Sequence, residues 1–208
     1  MKFLLLIVWG ALISSLTYGL TPHELLAKKL ATEATQLFLE ARNSTHPIDT
    51  RCSQLYAQAF KLAPNHFEYE AFEGSAKCIQ ARDSLIPLEK LALVQDGITL
   101  MDSAVKSQPE NIISRQIRAE TDLELPDIFQ RRTQAEADIN FLIRTYLKDP
   151  NSFSQKVEIG RILLLKARCE KFNGNTDLSL KFAQEAKKTS RIPKTIHDAE
   201  TLIHELEE

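Results

Sequence analysis

Glycine, cysteine and tryptophan are scarce in this chain of 208 residues: six Gly, three Cys and one Trp, with eight Pro and an aromatic content of 7%. So little Gly and Pro, with the Pro residues set between periodic segments, excludes collagen-like and Pro/Gly-rich disordered classes and favours helices joined by tight turns. The apolar-polar alternation that marks strands is almost missing. No charge sign dominates, because 26 basic and 28 acidic side chains leave a formal net charge of −2. A nucleic-acid partner is therefore not expected. The cysteines are odd in number and form no Cys-x-x-Cys pair, which excludes thioredoxin-like redox and ribbon zinc sites. No Gly-rich phosphate loop and no two-histidine, one-glutamate metalloprotease helix occurs. Beyond residue 20 nothing is long and apolar enough to span a membrane.

What is present is a repeated phrase. Cys52-Ser-Gln-Leu-Tyr56-Ala-Gln-Ala59, closed by Pro64, and Gly97-Ile-Thr-Leu-Met101-Asp-Ser-Ala104, closed by Pro109, share one pattern. A small residue is followed by a bulky one, then Ala, then Pro. Small residues let two helices approach, the bulky one fills the gap, and Pro ends the helix and turns the chain. This is the second helix of a helix-turn-helix repeat. The period is irregular: Pro64 to Pro109 is 45 residues, against about 34 for a tetratricopeptide unit.

The N-terminus carries a compartment signal. Lys2 precedes an uncharged run, Phe3 to Leu16, that ends in Thr17-Tyr18-Gly19. A secretory signal over residues 1–19 with cleavage after Gly19 is expected, leaving a single domain, 20–208, that is periplasmic or secreted and not stably inserted in a membrane. The alternative is an uncleaved anchor, since Phe3 to Leu20 reaches the length needed to cross a bilayer.

Helical periodicity recurs over Pro22 to Arg42, Thr50 to Leu62, Phe67 to Ala81, Leu88 to Ser107, Ile112 to Leu123, Thr133 to Leu147, Phe153 to Phe172, Asp177 to Thr189 and from Pro193 onward. In the fourth of these, Leu91, Val94, Ile98, Met101 and Val105 step by three and four, which predicts a core-facing seam. Phe153 to Phe172 is the most apolar segment and the expected centre of the core. The predicted fold is all-α: about eight helices in antiparallel pairs, stacked as a tetratricopeptide-like superhelix, or α-α solenoid.

The segment Phe67-Glu-Tyr-Glu-Ala-Phe-Glu-Gly74-Ser-Ala-Lys-Cys-Ile-Gln-Ala-Arg82, with Gly97 to Val105, Pro109 to Ile112, Arg115-Gln-Ile-Arg118 and Leu125-Pro126, resembles a group of bacterial secreted or periplasmic tetratricopeptide-like proteins. The likeness covers about a third of the chain and resumes weakly at Ala137. It departs after Arg82, where Asp83-Ser-Leu-Ile-Pro87 replaces an aromatic and Asn-Pro segment. It implies a fold and a compartment, with no activity, cofactor or ligand attached.

The function expected is therefore that of a surface and not of a reaction: an adaptor or scaffold for an unknown protein or peptide partner, with no enzyme activity, metal or cofactor. A structural helper in an envelope or secretion assembly, or a small-molecule carrier, is the alternative. The expected binding face is lined by the first helices of the units, including Glu70, Glu73 and Lys77 and the arginine pair Arg115 and Arg118, which in the competing reading form internal ion pairs. His197, Glu200 and His204 share a helix face but lack a fourth ligand, so solvated surface is expected there. Cys52 and Cys78 fall at similar heights on consecutive helices. A disulfide between them would close a loop of about 26 residues and stabilise by roughly 3 kcal/mol, and two buried free thiols are the alternative.

Overall fold

The computed structural model describes residues 20–43, 47–153 and 157–208, with backbone alone for 42 and 43. The expected secretion signal lies outside the described residues. Among these, the chain forms nine α-helices and no strand: α1 (Pro22–Asn43), α2 (Arg51–Leu62), α3 (Phe67–Asp83), α4 (Pro87–Ser107), α5 (Ile112–Glu124), α6 (Arg132–Lys148), α7 (Ile159–Phe172), α8 (Thr176–Thr189) and α9 (Pro193–Glu207). Single 3-10 turns sit at Asp127–Phe129 and Pro150–Ser152.

Proline sets the boundaries. Pro22, Pro87 and Pro193 each open a helix, where the missing N–H costs nothing, and Pro47, Pro64, Pro109, Pro126 and Pro150 fall in the connections. The first helix is also fixed by a reciprocal cap. The Glu24 amide donates to Thr21 Oγ1 at 3.2 Å, and the Thr21 amide donates back to Glu24 Oε2 at 2.8 Å. At the start of α5, Asn111 Oδ1 accepts from the amides of Ile113 and Ser114.

Helices pack as adjacent pairs, α1 with α2, α3 with α4, α5 with α6 and α7 with α8, and α9 closes against α8 and α7. The odd helices touch in turn, α1 to α3, α3 to α5, α5 to α7 and α7 to α9, so they build one continuous layer. This is an all-α helical-repeat arrangement. The tightest crossing is Gly74 on α3 against Gly97 on α4: a Cβ built on Gly97 would lie 2.5 Å from the Gly74 carbonyl oxygen. Backbone meets backbone there, which only glycine on both sides permits.

The core divides along the stack. Under α1 to α3, Tyr56 stacks on Phe72 at 5.1 Å while Phe38 meets the same ring edge-on at 5.6 Å. The Tyr56 hydroxyl reaches Thr35 Oγ1 at 3.0 Å, which satisfies its polar end inside the core. Further along, α7 serves two clusters. Ile162, Leu165 and Cys169 pack with Ile139 and Leu142, and Leu164 and Ala167 pack with Ala183, Ala186, Ala199 and Leu202.

The nine helices among the described residues fall on the nine periodic segments of the sequence, in keeping with about eight helices in pairs. Two expectations need correction. α7 begins at Ile159, not Phe153: Phe153 instead sets its ring edge-on against Tyr146, and the Glu158 carboxylate accepts from the Ser190 hydroxyl and the Arg191 amide, tying the chain to the turn between α8 and α9. The α4 seam starts at Val94, since Leu91 is 43% exposed and every residue from Leu85 to Ala92 is exposed. Among the described residues no helix covers that side of the first turns of α4.

Candidate functional site

A cleft of about 440 Å³ opens on the layer of odd helices. Every helix that lines it is odd-numbered: Phe38 from α1, Ile79 and Arg82 from α3, Glu120 and Glu124 from α5, Arg161, Leu164, Leu165 and Arg168 from α7, and Lys194 and Asp198 from α9. A second hollow of about 350 Å³, reaching Lys171, Phe172 and Leu202, shares Glu124, Arg168 and Asp198 with it. The two adjoin along these residues, and together they are the trough of this face.

Its walls are held by ion pairs between elements. Arg161 donates through Nε and Nη2 to the two Glu120 carboxylate oxygens, and Gln116 Nε2 donates to Glu120 Oε1 at 2.8 Å. Arg168 reaches Glu124 at 3.0 Å, and Lys171 reaches Glu205 at 2.6 Å. Since Arg161, Arg168 and Lys171 follow at seven and three residues on α7, they share one face. Apolar Ile79, Leu125, Leu164 and Leu165 line the same cleft.

The five surface residues expected from the sequence lie on the right helices but on other faces. None lines the cleft. Glu70 is more than nine-tenths buried; burial raises its carboxyl above the usual range, and its Oε2 lacks a hydrogen bond. Lys77 turns to α4, with Asp96 at 3.3 Å and Glu73 at 3.9 Å. Arg115 and Arg118 do form the internal pairs that competed with a binding role. Arg118, 6% exposed, donates to both oxygens of Asp138 on α6 at 2.7 and 2.9 Å and to Asp102 on α4 at 2.9 Å. Arg115 donates to the same Asp138 at 2.5 Å and lies over the Phe141 ring at 4.0 Å.

Sequence reasoning missed the third arginine of this cluster. Arg131, at the start of α6, makes two hydrogen bonds to Asp102, at 2.9 and 2.6 Å, and one to Asp122 at 2.9 Å. Asp122 is almost fully buried, and burial pushes its carboxyl up to about 6 against the pull of Arg131. Three aspartates and three arginines thus tie α4, α5 and α6 together. Such a cluster positions helices: Asp122 and Asp138 are buried within it, and Asp102, its side chain 41% exposed, forms its solvent edge.

The possible disulfide between Cys52 and Cys78 is not formed, and the alternative of buried free thiols is what the structure has. All three cysteines are free and buried. Cys52 Sγ points into the α1 interface, 3.3 Å from the Ala34 carbonyl oxygen it donates to, whereas Cys78 Sγ points at Gly97 on α4. The two thiols face different helix interfaces, so similar height does not bring them together. Burial pushes each thiol up to about 12, far from the thiolate that nucleophilic chemistry requires. Thiol titration is expected to count none in the folded protein and three after denaturation; one after denaturation would mean that a bridge exists.

On α9, Glu200 pairs with Lys187 at 2.9 Å and His204 with Glu208 at 3.3 Å. Among the described residues no cluster of His, Cys, Asp and Glu is arranged to hold a metal ion, and no helix is long and apolar enough to cross a membrane. Set against known protein families, curated proteins and solved structures, the chain matches none of them.

Proposed function

We propose that this chain is an exported adaptor that holds an extended segment of a partner protein in the trough on its odd-helix face. The observation that carries the reading is the lining: the cleft draws side chains from all five odd helices, so a bound segment would contact the whole stack at once. Stacked helical repeats characteristically bind through such an extended surface. Apolar side chains together with cross-trough ion pairs suit a peptide, whose anchors need burial and whose backbone needs polar neighbours.

A small-molecule carrier is the second reading, since about 440 Å³ falls in the range of small-ligand pockets. The adjoining hollow at Lys171, Phe172 and Leu202 favours an elongated occupant. Catalysis has less support: of the nucleophile types lining the cleft, the Ser75 and Thr121 hydroxyls bond to each other at 2.8 Å, Thr121 Oγ1 also lies 2.9 Å from the Ile117 carbonyl oxygen, and burial pushes the Cys78 thiol up to about 12. The tetratricopeptide-like resemblance and the N-terminal apolar run support export and a binding role.

Photo-crosslinking tests this in the cell that makes the protein. A benzophenone side chain at Ile79, inside the trough, is expected to capture one discrete polypeptide that the same group at Lys106, outside it, does not. Arg161→Glu sets two carboxylates against each other across the trough and is expected to abolish the adduct. Equal labelling from both positions, or an adduct indifferent to Arg161→Glu, would sink the proposal.

A further inference from the structure

Among the described residues the outer face of α1 is the open end of the helix stack, and it is not polar. Terminal helices of stacked repeats usually present a polar outer side. Here Leu20, Leu25 and Leu26 are 56%, 61% and 46% exposed. Pro22, Leu25 and Leu26 frame a shallow hollow of about 480 Å³, completed by Lys28, Lys29 and Thr32. The hollow is lined by two cations and no acid. The two nearby carboxylates are engaged elsewhere, Glu24 in the cap with Thr21 and Glu33 beside Arg51 at 3.9 Å. Neither lysine has an acidic partner among the described residues.

From this geometry we infer that the outer face of α1 is a peripheral membrane-binding surface that selects anionic lipid. Leucines exposed beside lysines on one helix face are the chemistry of an interfacial helix: the apolar side chains enter the headgroup boundary and the ammonium groups meet the phosphates. The charge argues against a second copy of this chain as occupant, because a two-fold contact would bring Lys28 and Lys29 of both copies together with no acid in the hollow. The surface is distinct from the trough, so either assignment stands without the other.

The test places an environment-sensitive bimane on Leu26→Cys in the exported chain that begins at Leu20, where Cys52, Cys78 and Cys169 are shielded by burial. Vesicles of phosphatidylglycerol and phosphatidylcholine in equal parts are expected to shift its emission to the blue, and vesicles of phosphatidylcholine alone are not. Removing two lysine-lipid contacts with Lys28→Gln and Lys29→Gln is expected to weaken partition about 30-fold, with helicity unchanged because both positions are exposed. No shift, a shift of equal size on phosphatidylcholine alone, or partition that survives the double variant overturns the inference. So does a shift that grows with protein concentration in the absence of lipid, which would make the occupant a second copy.

Discussion

Asp138→Ala is expected to be the most damaging single change in the chain, lowering stability by about 3–5 kcal/mol, the usual cost of removing one partner from a buried ion pair. Asp138 is fully buried on α6 and accepts from Arg115 and Arg118 of α5. Without it, Arg118 keeps only Asp102, and a guanidinium that is 6% exposed is left with most of its donors unsatisfied. At about 2–4 °C per kcal/mol for a domain of this size, the melting temperature should fall by roughly 6–20 °C. Arg168→Ala is the comparison: in its pair with Glu124 the carboxylate is exposed and the arginine about one-third exposed, and such solvent-accessible pairs contribute about 0–1 kcal/mol. Thermal melts of the two variants decide the matter. Equal shifts would mean that the Asp102, Asp122 and Asp138 cluster does not hold α4, α5 and α6 together.

That cluster shows where sequence reading stopped. Helix positions were legible because proline and apolar periodicity are one-dimensional signals: Pro87 and Pro193 open helices, and Pro64 and Pro109 follow their ends. Which side of a helix meets which neighbour is not one-dimensional. On α5, Arg118 and Glu120 are two positions apart, about 200° around the axis, so one enters the buried cluster and the other the trough. Both are charged, and composition alone cannot separate them. On α3, Lys77 and Ile79 stand in the same relation, and it is Ile79 with Arg82 that reaches the cleft. One signal was available: Glu120 and Glu124 repeat at four residues, and Arg161, Arg168 and Lys171 repeat at seven and three, marking two faces of matching charge that meet across the trough. The disulfide failed for a related reason, because height along a helix is readable from sequence and the direction of Sγ is not.

Gly97 carries the sharpest test of the packing itself, because here even the sign of a small change is informative. A glycine within an exposed stretch of helix is less favourable than alanine by about 0.8–1.0 kcal/mol, so Gly→Ala there should stabilise. At Gly97 a Cβ would sit 2.5 Å from the Gly74 carbonyl oxygen and 2.6 Å from Cys78 Sγ. The first neighbour is backbone of a buried helix, so the conflict can be relieved only by moving α3 and α4 apart. Gly97→Ala is therefore expected to destabilise despite its better helix propensity. Gly97→Leu, which adds four carbons to the same contact, should reach the upper end of the roughly 1–3 kcal/mol that overpacking costs. Since α3 also supplies Ile79 and Arg82 to the trough, that separation should weaken partner capture at Ile79 as well. Paired melts of wild type, Gly97→Ala and Gly97→Leu give the answer: a progressive fall in melting temperature supports the glycine crossing, and a rise for Gly97→Ala would place Gly97 on an open face.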